Sequence, residues 1–186
     1  LLNGALNYNW SEKKYVDKLP IVKSTAEKII KSLENFNYKR FQIQTIINEH
    51  LERFDVSDWD TKSECISLNL LYPTEKSTEL AHILNSIDNI SFFIHKRVYS
   101  SGDSFCDIVL KDISKASRLK TFKEQYGFDK IIAFGDSEND LPMVNVADEF
   151  YAVGNATEIV KQNATGVIGN CYDNGVVNFI LEKEAM

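Results

Sequence analysis

From Ser114 onward the sequence switches repeatedly between two hydrophobic periods, and that alternation narrows the fold more than any other feature. Ser114 can cap a helix running to about Tyr126, with Leu119, Phe122 and Tyr126 on one face and Gly127 to stop it. Ile131-Ile132-Ala133-Phe134 follows as a short apolar strand. A loop leads to a helix from about Leu141, with Pro142 in its first turn, where proline is tolerated. Phe150 to Val153 reads as the next strand, Ala156 to Gln162 as a helix and Gly166 to Ile168 as a strand. A closing helix carries Val176, Val177, Phe179 and Ile180. Apolar strands without polar alternation, set between helices, predict a parallel sheet buried on both faces.

The region from about Tyr8 to Ile108 has a different grammar. Helices are expected over Ser24 to Leu33, with Ala26, Ile29, Ile30 and Leu33 aligned, and over Lys76 to Ile87, with Leu80, Ile83, Leu84 and Ile87 aligned. Strand-like runs lie at Phe41 to Thr45, Cys65 to Leu71, Ser91 to His95 and Phe105 to Leu110. Grouped strands and helices of this kind form an α+β module, here placed before the α/β part. The seams fall near Tyr8 and Val109.

Charge bears on the partners. Lys and Arg number 21 against 27 Asp and Glu, a formal net charge of −6, which argues against a general nucleic-acid footprint. A negative chain that handles phosphates needs local cations or a metal. The three cysteines, Cys65, Cys106 and Cys171, are far apart and lack CxxC spacing, so neither a disulfide framework nor a zinc ribbon is expected. Free thiols fit a reducing cytoplasm, the expected location. No apolar run is long enough to span a bilayer, no secretory signal is visible, and no membrane partner is expected. On that ground the sequons at Asn155 and Asn163 are read as chance.

The chemistry concentrates in Phe134-Gly135-Asp136-Ser137-Glu138-Asn139-Asp140-Leu141-Pro142-Met143, where an apolar strand ends and a helix begins. Open α/β sheets bind ligands at the carboxyl ends of their strands. Gly135 is expected to allow a tight turn, and Asp136 and Asp140 then place two carboxylates at that end with Asn139 beside them. Hard oxygen ligands of this type suit Mg²⁺, which takes one or two protein carboxylates plus water and phosphate oxygens. The bland alternative makes Asp140 a helix cap and Asp136 a turn residue. Lys115, one unit earlier at the start of its helix, could reach the same sheet edge and neutralise phosphate as a point charge; most helix lysines are simply solvated.

Taken together, these segments resemble the haloacid dehalogenase (HAD) superfamily, most of all its Cof-type branch of sugar- and metabolite-phosphate phosphatases with a large α+β cap. Lys115 matches that family's third motif and Gly135-Asp136-Ser137-Glu138-Asn139-Asp140 its fourth. Val153-Gly154-Asn155-Ala156 matches the following strand-turn-helix, and Asn3-Gly4-Ala5 the turn from core into cap. The resemblance implies an α/β fold: a HAD-like Rossmannoid core over 1–7 and 109–186, with an α+β cap of the C2 type inserted over 8–108. It implies Asp136 as a Mg²⁺ ligand, and Lys115 as the group that holds the phosphoryl and balances the nucleophile's charge. Asn139 would bind a phosphate oxygen, and Asp140 would orient Lys115 or act at the metal. The candidate catalytic residues are thus Lys115 and Asp140, the phosphate-binding residues Lys115 and Asn139, and the metal ligands Asp136 and Asp140. The partner is a small-molecule phosphate ester; substrate identity and oligomeric state stay open.

The sequence departs from the family in one respect. The first motif, Asp-x-Asp-x-Thr after an apolar strand, supplies nucleophile and acid/base, and neither it nor the second motif occurs in the 186 residues. Both are expected upstream of Leu1, and the 186-residue chain alone is expected to be inactive and its core incomplete. Asp58-Trp59-Asp60 is a poor substitute: the flanking residues from Arg53 are not an apolar strand, and Lys62 stands where Thr should. The alternatives are a non-catalytic HAD-like remnant that binds but does not react, and the phosphorylation domain of a P-type ion pump. Elsewhere, His95-Lys96-Arg97 could meet an anionic substrate tail from the cap, and Trp10 and Trp59 could line a sugar pocket. The blander readings are a solvated charge run and core aromatics.

Overall fold

The computed structural model describes residues 1–9, 11–60, 63–96 and 102–185. Trp10 and Arg97, two of the residues weighed above, lie outside them, as does Lys62. The chain divides into two compact units, Leu1–Ile113 and Ser114–Met186.

The first unit opens with a 3₁₀ turn over Leu2–Gly4 and a short hairpin, β1 (Asn7–Asn9) and β2 (Lys14–Val16). Helix α1 (Lys23–Ser32) follows, then β3 (Arg40–Ile47), β4 (His50–Asp55) and β5 (Ser67–Pro73). Helix α2 (Ser77–Asn85), β6 (Ile90–Lys96) and β7 (Asp103–Leu110) complete it. Five strands form an antiparallel sheet in the order β4-β3-β5-β7-β6. Its period-2 pattern turns Leu68, Leu70, Tyr72, Cys106 and Ile108 to one face, where they join Ile29, Leu33, Leu80 and Leu84 of the helices in one buried cluster. Burial pushes the Cys65 thiol up to about 12 and the Cys106 thiol higher still, so neither offers a thiolate.

Two features of this unit differ from the sequence reading. The first is β4, which has no apolar run because it is an edge strand with mostly exposed side chains. Its hairpin with β3 turns at Asn48 and Glu49, both at positive φ (48° and 65°), the signature of a type I′ turn. The second is the seam. Residues 1–7 and 109–113 group with the α+β unit rather than with the parallel sheet. Ala5 and Leu6 are fully buried there, clustered with Ile66 and Val109, and Asn3 donates to Asp107 at 3.2 Å.

The second unit runs α3 (Lys115–Tyr126), β8 (Ile132–Gly135), a 3₁₀ helix over Glu138–Asn145, and β9 (Glu149–Ala152). Helix α4 (Glu158–Asn163), β10 (Gly166–Val167) and α5 (Gly175–Glu184) follow. The strands pair in parallel in the order β10-β9-β8, as the unalternated apolar runs predict. Ala133, Phe150 and Ala152 pack on one face with Ala116 of α3 and Met143. Phe134 and Tyr151 meet Phe179 of α5 on the other. The helix expected from about Leu141 is present, but it is 3₁₀ and starts three residues earlier, at Glu138. Pro142 inside it can donate no backbone hydrogen bond, which favours a short, tight helix over a long α-helix.

Candidate active site in the second unit

Lys115 is set in place by its own helix start. Ser114 caps α3: its Oγ accepts the Ser117 amide at 3.1 Å, and Ser117 Oγ accepts the Ser114 amide at 3.0 Å. This reciprocal box fixes the first turn, and Lys115 is the first residue in it. The other end closes as the sequence predicts, with Gly127 left-handed at φ 66°.

The acids come from the turn after β8. Asp140 is 2 % exposed, and its carboxylate collects three donors. Oδ1 accepts Lys115 Nζ at 2.5 Å. Oδ2 accepts the amides of Asp136 at 2.9 Å and Ser137 at 3.3 Å. Burial alone pushes the Asp140 carboxyl up, but the Lys115 ammonium and the two amides outweigh it and hold the group below the usual carboxylate range. The capping role and the lysine-holding role, set against each other in the sequence, are therefore the same carboxylate's two oxygens.

Asp136 sits differently. Its carboxyl is pushed up, first by burial and then by the neighbouring Asp140, against the opposing pull of Lys115. Ser137 Oγ lies 3.4 Å from its Oδ1, a weak contact. Asn139 is held by Ser137, whose Oγ donates to Asn139 Oδ1 at 2.6 Å. Sequence reading gave Ser137 no role, since one serine in a turn carries no distinguishing signal. Lys115, Asp136, Asn139 and Asp140 are thus gathered around one strand end.

Gly135 is needed here, though for a reason other than the tight turn expected. A Cβ on it would lie 2.6 Å from Asp140 Cβ and 2.7 Å from Phe150 Cζ. The glycine lets the acid and the aromatic ring close on the strand end. Behind the site, the Val153 amide bonds to the Gly135 carbonyl at 3.2 Å and the Thr157 amide to the Asp136 carbonyl at 2.9 Å. The Gly154-Asn155 turn is therefore braced against the acidic loop, and Asn155 Oδ1 accepts the Cys171 amide at 3.0 Å.

The donor set fits a hard divalent cation through Asp136, an exposed carboxylate beside an Asp140 whose two oxygens are already engaged. Among the described residues no third His, Cys, Asp or Glu joins them in a metal-holding cluster. Asp58 and Asp60 lie in the first unit, away in sequence from these residues. Asp58 ends a 3₁₀ turn over Val56–Asp58, Asp60 accepts the amide and hydroxyl of Ser63, and Trp59 between them is core. His95 pairs with Asp107 at 3.3 Å.

A family model described as haloacid dehalogenase-like hydrolase matches residues 1–180. A protein of Mycoplasma pneumoniae called a putative phosphatase is 31% identical over 132 residues, 68% of this chain and 44% of that relative. A phosphoglycolate phosphatase of Methanobrevibacter smithii is 28% identical over 155 residues, 75% of this chain and 64% of the relative. The chain thus spans less than two thirds of the length of these curated relatives. A crystal structure of a Thermotoga maritima protein superposes with a TM-score of 0.68 at 27% identity, covering 97% of this chain and 73% of that one.

Proposed function

Since the chain belongs to the haloacid dehalogenase-like hydrolase family, we propose that the protein hydrolyses a small phosphorylated metabolite, a sugar phosphate in the first instance, with Mg²⁺ as cofactor. The observation that carries this reading is the Lys115–Asp140 pair, with Lys115 Nζ 2.5 Å from a buried carboxylate at a parallel strand end. A lysine anchored in that way, with 39% of its side chain exposed, presents a fixed positive charge to an incoming phosphate without a rotamer search. In this reading Lys115 binds the phosphoryl oxygens and offsets the charge that builds on them. Asn139 donates its amide N–H to a phosphate oxygen, oriented by the bond between its Oδ1 and Ser137.

The two acids divide their work. Asp140 has three of its acceptor positions filled, so its task is to position Lys115 and the Asp136–Ser137 backbone. Asp136 is the carboxylate left to hold Mg²⁺. When bound, that ion supplies Lewis-acid stabilisation of the phosphoryl group. The nucleophile is assigned to an aspartate of an Asp-x-Asp-x-Thr motif, which forms an aspartyl-phosphate that water then hydrolyses. Residues 1–186 contain no such motif. A polypeptide limited to them should therefore bind phosphate without turning it over. In this reading the first unit is the substrate-selecting cap.

The test is a Mg²⁺-dependent assay of the full-length protein against a panel of sugar and metabolite phosphates, alongside Asp136→Asn. Loss of Mg²⁺ dependence and of nearly all turnover is expected in the variant. Activity at the wild-type level with Asn at 136 would overturn the assignment.

A further inference from the structure

A groove of about 460 Å³ opens in the first unit beside α1. That volume lies within the range of small-molecule sites, ~300–1,000 Å³. Tyr38, Phe41 and Trp59 form its aromatic wall, and Ile30 and Val56 its aliphatic one. The rings are held rather than loose. Trp59 is 9% exposed and its indole N–H donates to the Ser63 carbonyl at 3.2 Å. Tyr38 and Phe41 meet edge to face with centroids 5.5 Å apart. Fixed aromatic faces of this kind favour another ring, in stacked or edge-on contact.

The rim is charged in a definite order. Glu27 and Lys31 stand one turn apart on α1, and Glu34 lies just past its end; all three line the groove and are exposed. Lys31 makes no ion pair among the described residues, and Glu27 stands 3.9 Å from Lys23. A carboxylate–ammonium–carboxylate rim above aromatic walls is complementary to a zwitterion that carries a ring. A simple organic cation would meet the Lys31 charge, and a simple anion the two glutamates.

We propose that this groove binds a free aromatic α-amino acid. Its ring lies among Trp59, Tyr38 and Phe41, its carboxylate accepts from Lys31 Nζ, and its ammonium donates to Glu27 or Glu34. Every residue involved belongs to the first unit, so this inference stands apart from the phosphatase reading.

Isothermal titration of the 186-residue chain with three probes tests it: L-phenylalanine, phenethylamine, which lacks the carboxylate, and 3-phenylpropionate, which lacks the ammonium. Saturable one-site binding of L-phenylalanine is expected, with either analogue weaker by about tenfold or more, the scale of one charge-assisted hydrogen bond. Lys31→Gln should remove the advantage of L-phenylalanine over phenethylamine, and Glu27→Gln with Glu34→Gln its advantage over 3-phenylpropionate. These side chains are exposed, so an unchanged melting temperature will show that the variants fold. No saturable heat with L-phenylalanine at millimolar concentration, equal binding of the three probes, or a preference that survives Lys31→Gln would each overturn the proposal.

Discussion

At the scale of single residues, the site depends on one carboxylate being shared between a lysine and the backbone. Replacing Lys115 by Met leaves Asp140 its two amide donors, and the lysine itself is partly solvated. The stability cost should therefore be small, about 1 kcal/mol. Turnover of the full-length enzyme should fall by at least ~10², the usual cost of one lost donor at a site of developing charge. Parallel thermal melts and kcat measurements on Lys115→Met separate the two effects; a loss of activity matched by unfolding would make the lysine structural. Gly135→Ala is expected to affect both. Its Cβ would sit 2.6 Å from Asp140 Cβ, and relief of that clash must displace the acid or Phe150. Overpacking of this order costs ~1–3 kcal/mol, so the melting temperature and the activity should drop together. Asp136 was legible as an acid at a strand end, but its contrast with Asp140 was not. Which acid keeps free oxygens depends on where the Lys115 ammonium and the turn amides come to rest.

Among the elements, the sequence exposed those whose apolar side chains follow a clear period. Helix α3 could be placed from its Ser114 cap and Gly127 stop, and the central strands from their apolar runs. Strand β4 escaped because an edge strand buries little and its polar residues read as loop. The 3₁₀ type of the helix over Glu138–Asn145 escaped because a proline near a helix start is compatible with either helix type. The β3–β4 turn offers a test of how β4 is held. Glu49 takes φ 65° there, a conformation that suits Gly and strains most other residues. Glu49→Gly creates the Asn-Gly pair that type I′ turns favour, and should stabilise the first unit by ~0.5 kcal/mol. A chemical-denaturation midpoint that falls instead would show that the Glu49 side chain contributes more than its backbone strain costs. Leu68→Ala, at the centre of the same sheet and fully buried, should lose ~2–5 kcal/mol by denaturant unfolding.

For the whole molecule, the division into two compact units, each with its own buried cluster, predicts that residues 1–113 fold alone. A fragment of that length should show a single cooperative calorimetric transition; a broad melt without one would mean that it needs residues 114–186. The second unit should carry its own acid sensitivity. Lys130 first, then Lys183 and the Tyr151 hydroxyl, bond to Glu149 and hold its carboxyl at about 2, below the ordinary 4.5. A folded-state value lowered in this way stabilises the protein above about 4.5, and that stabilisation is lost as pH falls towards 2. Glu149→Gln should therefore melt below the wild type at neutral pH, and the gap should close near pH 2. The sequence by itself determined the parallel α/β segment and the caps of α3, which are local features that follow from backbone period and from side chains bonding a few residues away. Lys115, Asp136, Asn139 and Asp140 stood out only through the family motifs they resemble. Only the tertiary structure decided that Asp140 holds Lys115 across 25 residues of chain, that Gly135 is needed for close approach, and that residues 1–7 group with the α+β unit. Each of these depends on surfaces that meet only after the chain has closed on itself.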